Sequence, residues 1–349
     1  MASFTSADTP TSRELAVYKD TTGAISVGSR VFEVCTSIGL RPTQEDRLIL
    51  TPSFINDNTS VCGVFDGTVG DDASEFVCAN FIKHLCNNSD ICNIESIFSM
   101  EKERILHSES NNTAPIKTGN SGAEPLSSIP TDIVAEKIKA ALRSVFLSCD
   151  DELLALCRER QLHYASSTGV VAFIWNDLLT VAHVGDSKAC IARAAPNGDL
   201  VPEWLTIDHK PHMPAELQRI ESCGGRMAWL HGNKPYIRGG DFLLRQAEGG
   251  HPKQLNYSRA FGGKDLKMYG LSCEPDVTQF EITADDKVLL LASDGLWDVV
   301  DPKYACKLAL RSRKEGRSAT RDIVAFAIEQ MPIVNIRDNI TVIAIFLNE

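Results

Sequence analysis

Acidic residues recur in this 349-residue chain at the edges of apolar runs: Glu45-Asp46 in RPTQEDR, Asp66 in VFDG, Asp186 in VGDS, Asp294 in LASDG and Asp338 in RDN. Most take one form, an apolar stretch, an Asp, then Gly, Ser or Asn. A strand fixes the direction of its last side chain, and a tight turn after it leaves a carboxylate facing a cleft. Carboxylates gathered from separate strands repel one another unless protons or cations neutralise them. Hard cations meet that need, and Mg²⁺ or Mn²⁺ held by a few carboxylates and several waters suits this inventory. Any one such Asp is by itself a turn former or a cap. The case rests on the set.

The elements that must carry these acids separate by period. A short strand is expected at 61–65 (VCGVF), followed by a helix with Ala73, Phe76, Val77, Phe81 and Leu85 on one side. A longer helix follows, with Ile138, Ala141, Leu142, Val145, Phe146, Leu153 and Leu156 in register. The runs 169–174 and 178–184, joined by Asn176 and Asp177, read as a hairpin, and 188–193 as a further strand. Residues 214–222 read as a helix stopped by Gly224-Gly225. Strands recur at 288–292 and 340–347, with two short helices expected between them. Tight turns make neighbouring strands antiparallel, and the helices fall in groups, which favours a layered α+β fold over a doubly wound sheet. No G-x-G-x-x-G or Walker segment opens a helix.

Residues 1–28, polar and rich in Ser and Thr, are expected to form a flexible arm, with one domain over 29–349. Within it, about 108–130 has a composition too polar to order itself and reads as a surface insertion. A net charge of −11 argues against nucleic acid as a partner. The N-terminus lacks the features of a secretion signal, Ala2 replaces the glycine of a myristoylation site, and no apolar run reaches membrane length. With an odd count of eleven Cys, none spaced C-x-x-C, the thiols are expected reduced and the protein intracellular, cytoplasmic or nuclear.

In order, RPTQEDR (41–47), VFDG (64–67), SSTGVVAFI (166–174), VAHVGDSKA (181–189), LTIDHKP (205–211), RIESCGG (219–225), YSRAFGG (257–263), LLASDGLWDVV (290–300) and DNITVIAIF (338–346) resemble the type 2C metal-dependent serine/threonine protein phosphatases. The resemblance covers about residues 30–348 and implies a central antiparallel β-sandwich flanked by helices, in α-β-β-α layers. It also implies hydrolysis of phosphoserine and phosphothreonine in protein substrates, using a water bridging two Mg or Mn ions; a monomer is expected. By this resemblance Asp66 bridges the ions and the Gly67 carbonyl ligates one of them. Asp294 and Asp338 complete the shell of the first ion, and Glu45 with Asp46 contacts the second ion, partly through water. Asp186 matches a residue linked to a weaker third ion, sharing Asp294. Arg41 stands at the phosphate-binding arginine, where a guanidinium fork meets two oxygens at once. Specificity would come from a flap at about 207–252 and from the insertion.

The family's Asp-Gly-His-Gly-Gly is here Asp66-Gly67-Thr68-Val69-Gly70, so Thr68 stands at the general-acid position. A second departure is Gly263, where the family often has Asp; loss of an accessory metal contact or a changed turn is expected there. These departures motivate the alternative of a pseudophosphatase acting as a regulatory binding module. His183 is expected to face away from Asp186, His209 and Lys210 to position the flap, and Trp297 to pack in the core. The stretch Arg311 to Arg317 resembles a minimal nuclear signal and reads at least as well as a solvated helix end.

Overall fold

The strand Thr59–Phe65 is buried along its whole length, which requires cover on both of its faces. The computed structural model, which describes residues 16–17, 22–100, 103, 129–230 and 233–348, supplies that cover as four layers. One six-stranded sheet runs in the order Ala16–Val17, Arg47–Thr51, Thr59–Phe65, Gly169–Trp175, Leu178–Val184, Asp276–Glu281. The other runs Leu200–Trp204, Lys188–Ala194, Asp286–Ala292, Ile340–Phe346, Arg30–Ser37, Thr22–Val27. Every pairing within these two sheets is antiparallel.

Alternation along the strands assigns each side chain to a layer. Leu48, Cys62, Val64, Val170 and Ala172 from the first sheet meet Phe32, Val34, Leu289, Leu291 and Ile343 from the second. The intervening residues Ile49, Val61, Phe65, Val171 and Phe173 face the helices Asp72–Asn87 and Ile129–Glu159. On the opposite outer face, Val288, Leu290, Ala292, Val342 and Ala344 pack against the helices Pro302–Lys314 and Ala319–Val334. Burying both faces of each sheet removes period-two alternation from the sequence, which is why these strands read as continuous apolar runs.

Several expectations change. Between residues 292 and 340 lie three helices, Asp294–Trp297 with 4 residues and two longer ones with 13 and 16, where two short ones were expected. The buried stripes of the longer two include the small residues Ala305, Ala309, Ala319 and Ala327, which weaken the hydrophobic period. The expected arm does not extend to 28, because Thr22–Val27 pairs with Arg30–Ser37 as a sheet edge. Its side chains are almost all exposed, so backbone hydrogen bonding is its main hold, with Val27 alone packing against the core between the sheets. The insertion lies outside the described residues except at 129 and 130, which begin a helix. The expected flap contains the helix Pro214–Ser222, the hairpin Arg226–Leu230 with Lys234–Arg238, and the helix Phe242–Ala247.

Candidate active site

Strand register brings the acids together. Arg47 pairs with Phe65, so the residues just outside that pair, Asp46 and Asp66, are neighbours. In the second sheet Lys188 pairs with Ala292, and Ala292 with Val342, so Asp186, Asp294 and Asp338 leave the same end. All five meet electrostatically. Burial first, then the charges of Asp46, Asp294, Asp338 and Asp186, push the Asp66 carboxyl well above the carboxylate range. Asp294 is raised by burial and by Asp186, Asp338 and Asp298, with Lys210 opposing. Asp338 is raised by burial, and Arg41 opposes the shift. Burial pushes Asp46 up to about 6, against hydrogen bonds from Ser293 and Thr341. Asp66 and Asp294 keep some surface open to the cleft although protein encloses them elsewhere.

Two polar residues not singled out in the sequence hold this cluster in place. Ser293 Oγ donates to Asp46 Oδ2 at 2.8 Å and accepts from the Thr341 amide at 3.1 Å. Asn339 Oδ1 accepts from the Glu45 amide at 2.8 Å, while its Nδ2 donates to the Ile38 and Thr43 carbonyls at 3.0 and 2.8 Å. That buried amide therefore ties the loop bearing Arg41 and Glu45 to Asp338. The only sequence signal was their adjacency, Ser293 before Asp294 and Asn339 after Asp338. Gly67 must be glycine, because a Cβ there would lie 2.6 Å from the Glu45 carbonyl oxygen and 2.7 Å from Ser74 Oγ. Arg41 is exposed at the rim, with Nε 3.2 Å from Asp338 Oδ1. Glu45 is half-buried, with Oε1 accepting from Thr43 Oγ1 at 3.1 Å.

Thr68, half-buried, lies on the short strand Gly67–Thr68 beside the cluster. Val69 adopts φ of 64°, a left-handed conformation that costs a β-branched residue about 1–2 kcal/mol. Val69→Gly is expected to stabilise the fold by about 1 kcal/mol, read as a higher melting temperature; a lower one would show that this turn stores no strain. Gly263 also has a positive φ, 63°, and a Cβ there would sit 2.4 Å from Leu271 Cδ2. An acid there, as expected from the resemblance, would have to push Leu271 aside and hold a strained backbone.

Lys210 does more than position the flap, since its Nζ bonds Asp186 Oδ2 directly. His183 Nε2 lies 2.8 Å from the Ile207 carbonyl oxygen, and its ring stacks on His209 at 4.5 Å and 15°. With Asp276 these histidines bring one ligand atom each to within 4.8 Å of one another, a metal group by distance. Two features oppose that reading. Nearly parallel rings cannot both contain one ion in their planes, and the Gly185 amide donates to His209 Nδ1 at 3.1 Å. In a neutral ring that bond leaves the proton on Nε2, the atom 3.2 Å from Asp276 Oδ2. The group braces the Gly185-Asp186 turn. Trp297 is buried, its Nε1 donating to the Lys188 and Ala292 carbonyls. Arg317, just past the helix Pro302–Lys314, pairs with Glu315 and Asp322.

A cavity of about 200 Å³ continues from Asp186 and Asp294 under the flap, lined also by Lys188, Lys210, His212 and Lys234. The sequence and the architecture have counterparts among known proteins. Residues 31–336 match the family described as Protein phosphatase 2C. Probable protein phosphatase 2C 41 of Arabidopsis thaliana is 30% identical over 88% of this chain and 79% of its own length. Probable protein phosphatase 2C 72 of the same plant is 29% identical over 91% and 86%. The crystal structure of a serine-threonine phosphatase 2C from Toxoplasma gondii superposes with a TM-score of 0.80 at 36% identity, covering 94% of this chain and 99% of that one. The chain is a member of the protein phosphatase 2C family, the metal-dependent serine/threonine phosphatases.

Proposed function

We propose that this chain removes phosphate from phosphoserine and phosphothreonine in proteins, using Mg or Mn ions held by Asp46, Asp66, Asp294 and Asp338. The observation that supports this most is the state of Asp46. Burial pushes its carboxyl up to about 6, with the charge of Asp338 adding to the rise, and its Oδ1 is buried without a partner. A hard cation would neutralise the crowded carboxylates and occupy the orphaned oxygen. Asp66, with the other four aspartates around it, is suited to bridge two ions, with the Gly67 carbonyl and Glu45 completing the set. When bound, such ions lower the pKa of a water placed between them and draw charge from the phosphoryl group. Asp186 with Asp294 would hold a third, weaker ion, which must displace Lys210.

Arg41 lies at the rim where its guanidinium can meet two phosphoryl oxygens of an incoming substrate. Thr68 stands where the family's general acid would serve the departing oxygen but, at neutral pH, cannot give up a proton as a histidine does. No cysteine is needed as a nucleophile, and burial raises the thiols of Cys35, Cys62, Cys78, Cys149, Cys157 and Cys273. Among the described residues no helix is long and apolar enough to cross a membrane. The free cysteines support action inside the cell, in cytoplasm or nucleus, and we expect a monomer.

The test is phosphate release from a phosphopeptide with Mn²⁺, with EDTA, and in Asp294→Ala. Release that stops with EDTA and falls at least ~10²-fold in the variant is expected. Release that survives EDTA would overturn the reading. Thr68 and the strained Val69 favour one alternative, a pseudophosphatase serving as a binding module. It requires no turnover of an aryl phosphate at millimolar Mn²⁺.

A further inference from the structure

Behind Thr68 lies a short chain of buried hydroxyls. Thr68 pairs with Ser166 across the strands Gly67–Thr68 and Ser166–Ser167, which puts their side chains on one face. Ser166 Oγ lies 3.0 Å from the Tyr257 hydroxyl, and the Thr68 side chain is near enough to that phenol to act on its ionisation. Tyr257 is 2% exposed, so no bulk water competes for its proton. Burial, with Asp66 and Asp186 nearby, pushes the phenol well above its usual range, and it remains a neutral donor. Ser166 is fully buried and can only donate to, or accept from, groups around it.

We propose that Tyr257 is a positioning residue for the dephosphorylation described above: its O–H donates to Thr68 Oγ1 and turns the Thr68 O–H toward the departing serine or threonine oxygen. The proposal rests on the phosphatase reading and deepens it. Ser166 Oγ–H donates to the Tyr257 oxygen, which leaves the phenolic hydrogen for Thr68. As the water oxygen bonds to phosphorus and the bond from phosphorus to the departing oxygen breaks, the Thr68 O–H hydrogen-bonds the negative charge gathering there. No proton leaves the chain of hydroxyls. The water sheds one proton to solvent, and the released alkoxide takes one up from solvent, so the reaction balances. This arrangement stands where a histidine general acid is missing, and it matters only when the departing oxygen is strongly basic.

The test compares wild type, Tyr257→Phe, Thr68→Ser and Thr68→Val with Mn²⁺, on a phosphoserine peptide and on 4-nitrophenyl phosphate. Tyr257→Phe and Thr68→Val should each lower kcat on the peptide about tenfold and stay within about twofold on the aryl phosphate, with KM unchanged. Thr68→Ser should keep the peptide rate, and Tyr257→Phe in a Thr68→His background should change neither substrate. An equal loss on both substrates, or no loss on the peptide, overturns the proposal and leaves the phosphatase reading intact. A wild type that turns over neither substrate overturns both. If Tyr257→Phe melts early, the contrast between Thr68→Val and Thr68→Ser reads the other end of the same bond.

Discussion

Asp66→Asn is expected to abolish metal-dependent phosphate release while raising the melting temperature of the protein in EDTA. The activity loss should reach at least ~10³-fold, because the group that links both proposed ions loses its charge. The gain in stability has a separate cause. Asp66 is enclosed with Asp46, Asp186, Asp294 and Asp338, and their repulsion raises its carboxyl. Removing one charge from such a cluster relieves about 1–3 kcal/mol, which is a few degrees for a chain of this size. The pH dependence follows with a defined sign. Asp46 in the fold is pushed up to about 6, above the ordinary value of an unfolded Asp. Its protonated form therefore favours the fold, fully so below about pH 4, and that contribution is lost as pH rises through about 6. In EDTA the protein should melt at a lower temperature at pH 7.5 than at pH 5.5. Mn²⁺ should narrow the gap, and Asp66→Asn should narrow it without metal. Melting in EDTA that rises with pH, or an Asp66→Asn protein that melts lower, would contradict the crowded-carboxylate account.

Thr68→His is the second large effect, and it is a gain. A histidine general acid is worth on the order of 10²–10⁴-fold. Part of that is already supplied if Thr68 donates a hydrogen bond, so the expected rise on a phosphoserine peptide is about 10–100-fold. On an aryl phosphate, whose leaving group needs no proton, the two proteins should agree within a few-fold. A bell-shaped dependence with a new limb near the histidine pKa should appear only in the variant. Equal peptide rates in the two proteins would mean that the missing histidine does not limit this enzyme. Val69 bears on the same variant, because its left-handed backbone sets the turn that aims residue 68.

The sequence alone settled the inventory. Asp66, Asp186 and Asp294 each follow an apolar run closely, and that pattern marks a strand end whatever the fold. Ordered segments from RPTQEDR to DNITVIAIF marked the family, and with it the sandwich, because so many segments in one order specify one topology. Local pattern could not show who meets whom. Asp46 and Asp66 are neighbours because of the register of Arg47 with Phe65, and Asp294 nears Asp338 because Ala292 faces Val342. Register is a property of two strands, and neither strand's sequence states it. The edge strand Thr22–Val27 was illegible for a related reason, since backbone hydrogen bonds are its main hold and leave no trace in side-chain type. Ser293, Asn339 and Tyr257 look like ordinary polar or aromatic residues until the fold closes around them. Their importance comes from burial, where each polar atom must find a partner, and burial exists only in the tertiary structure.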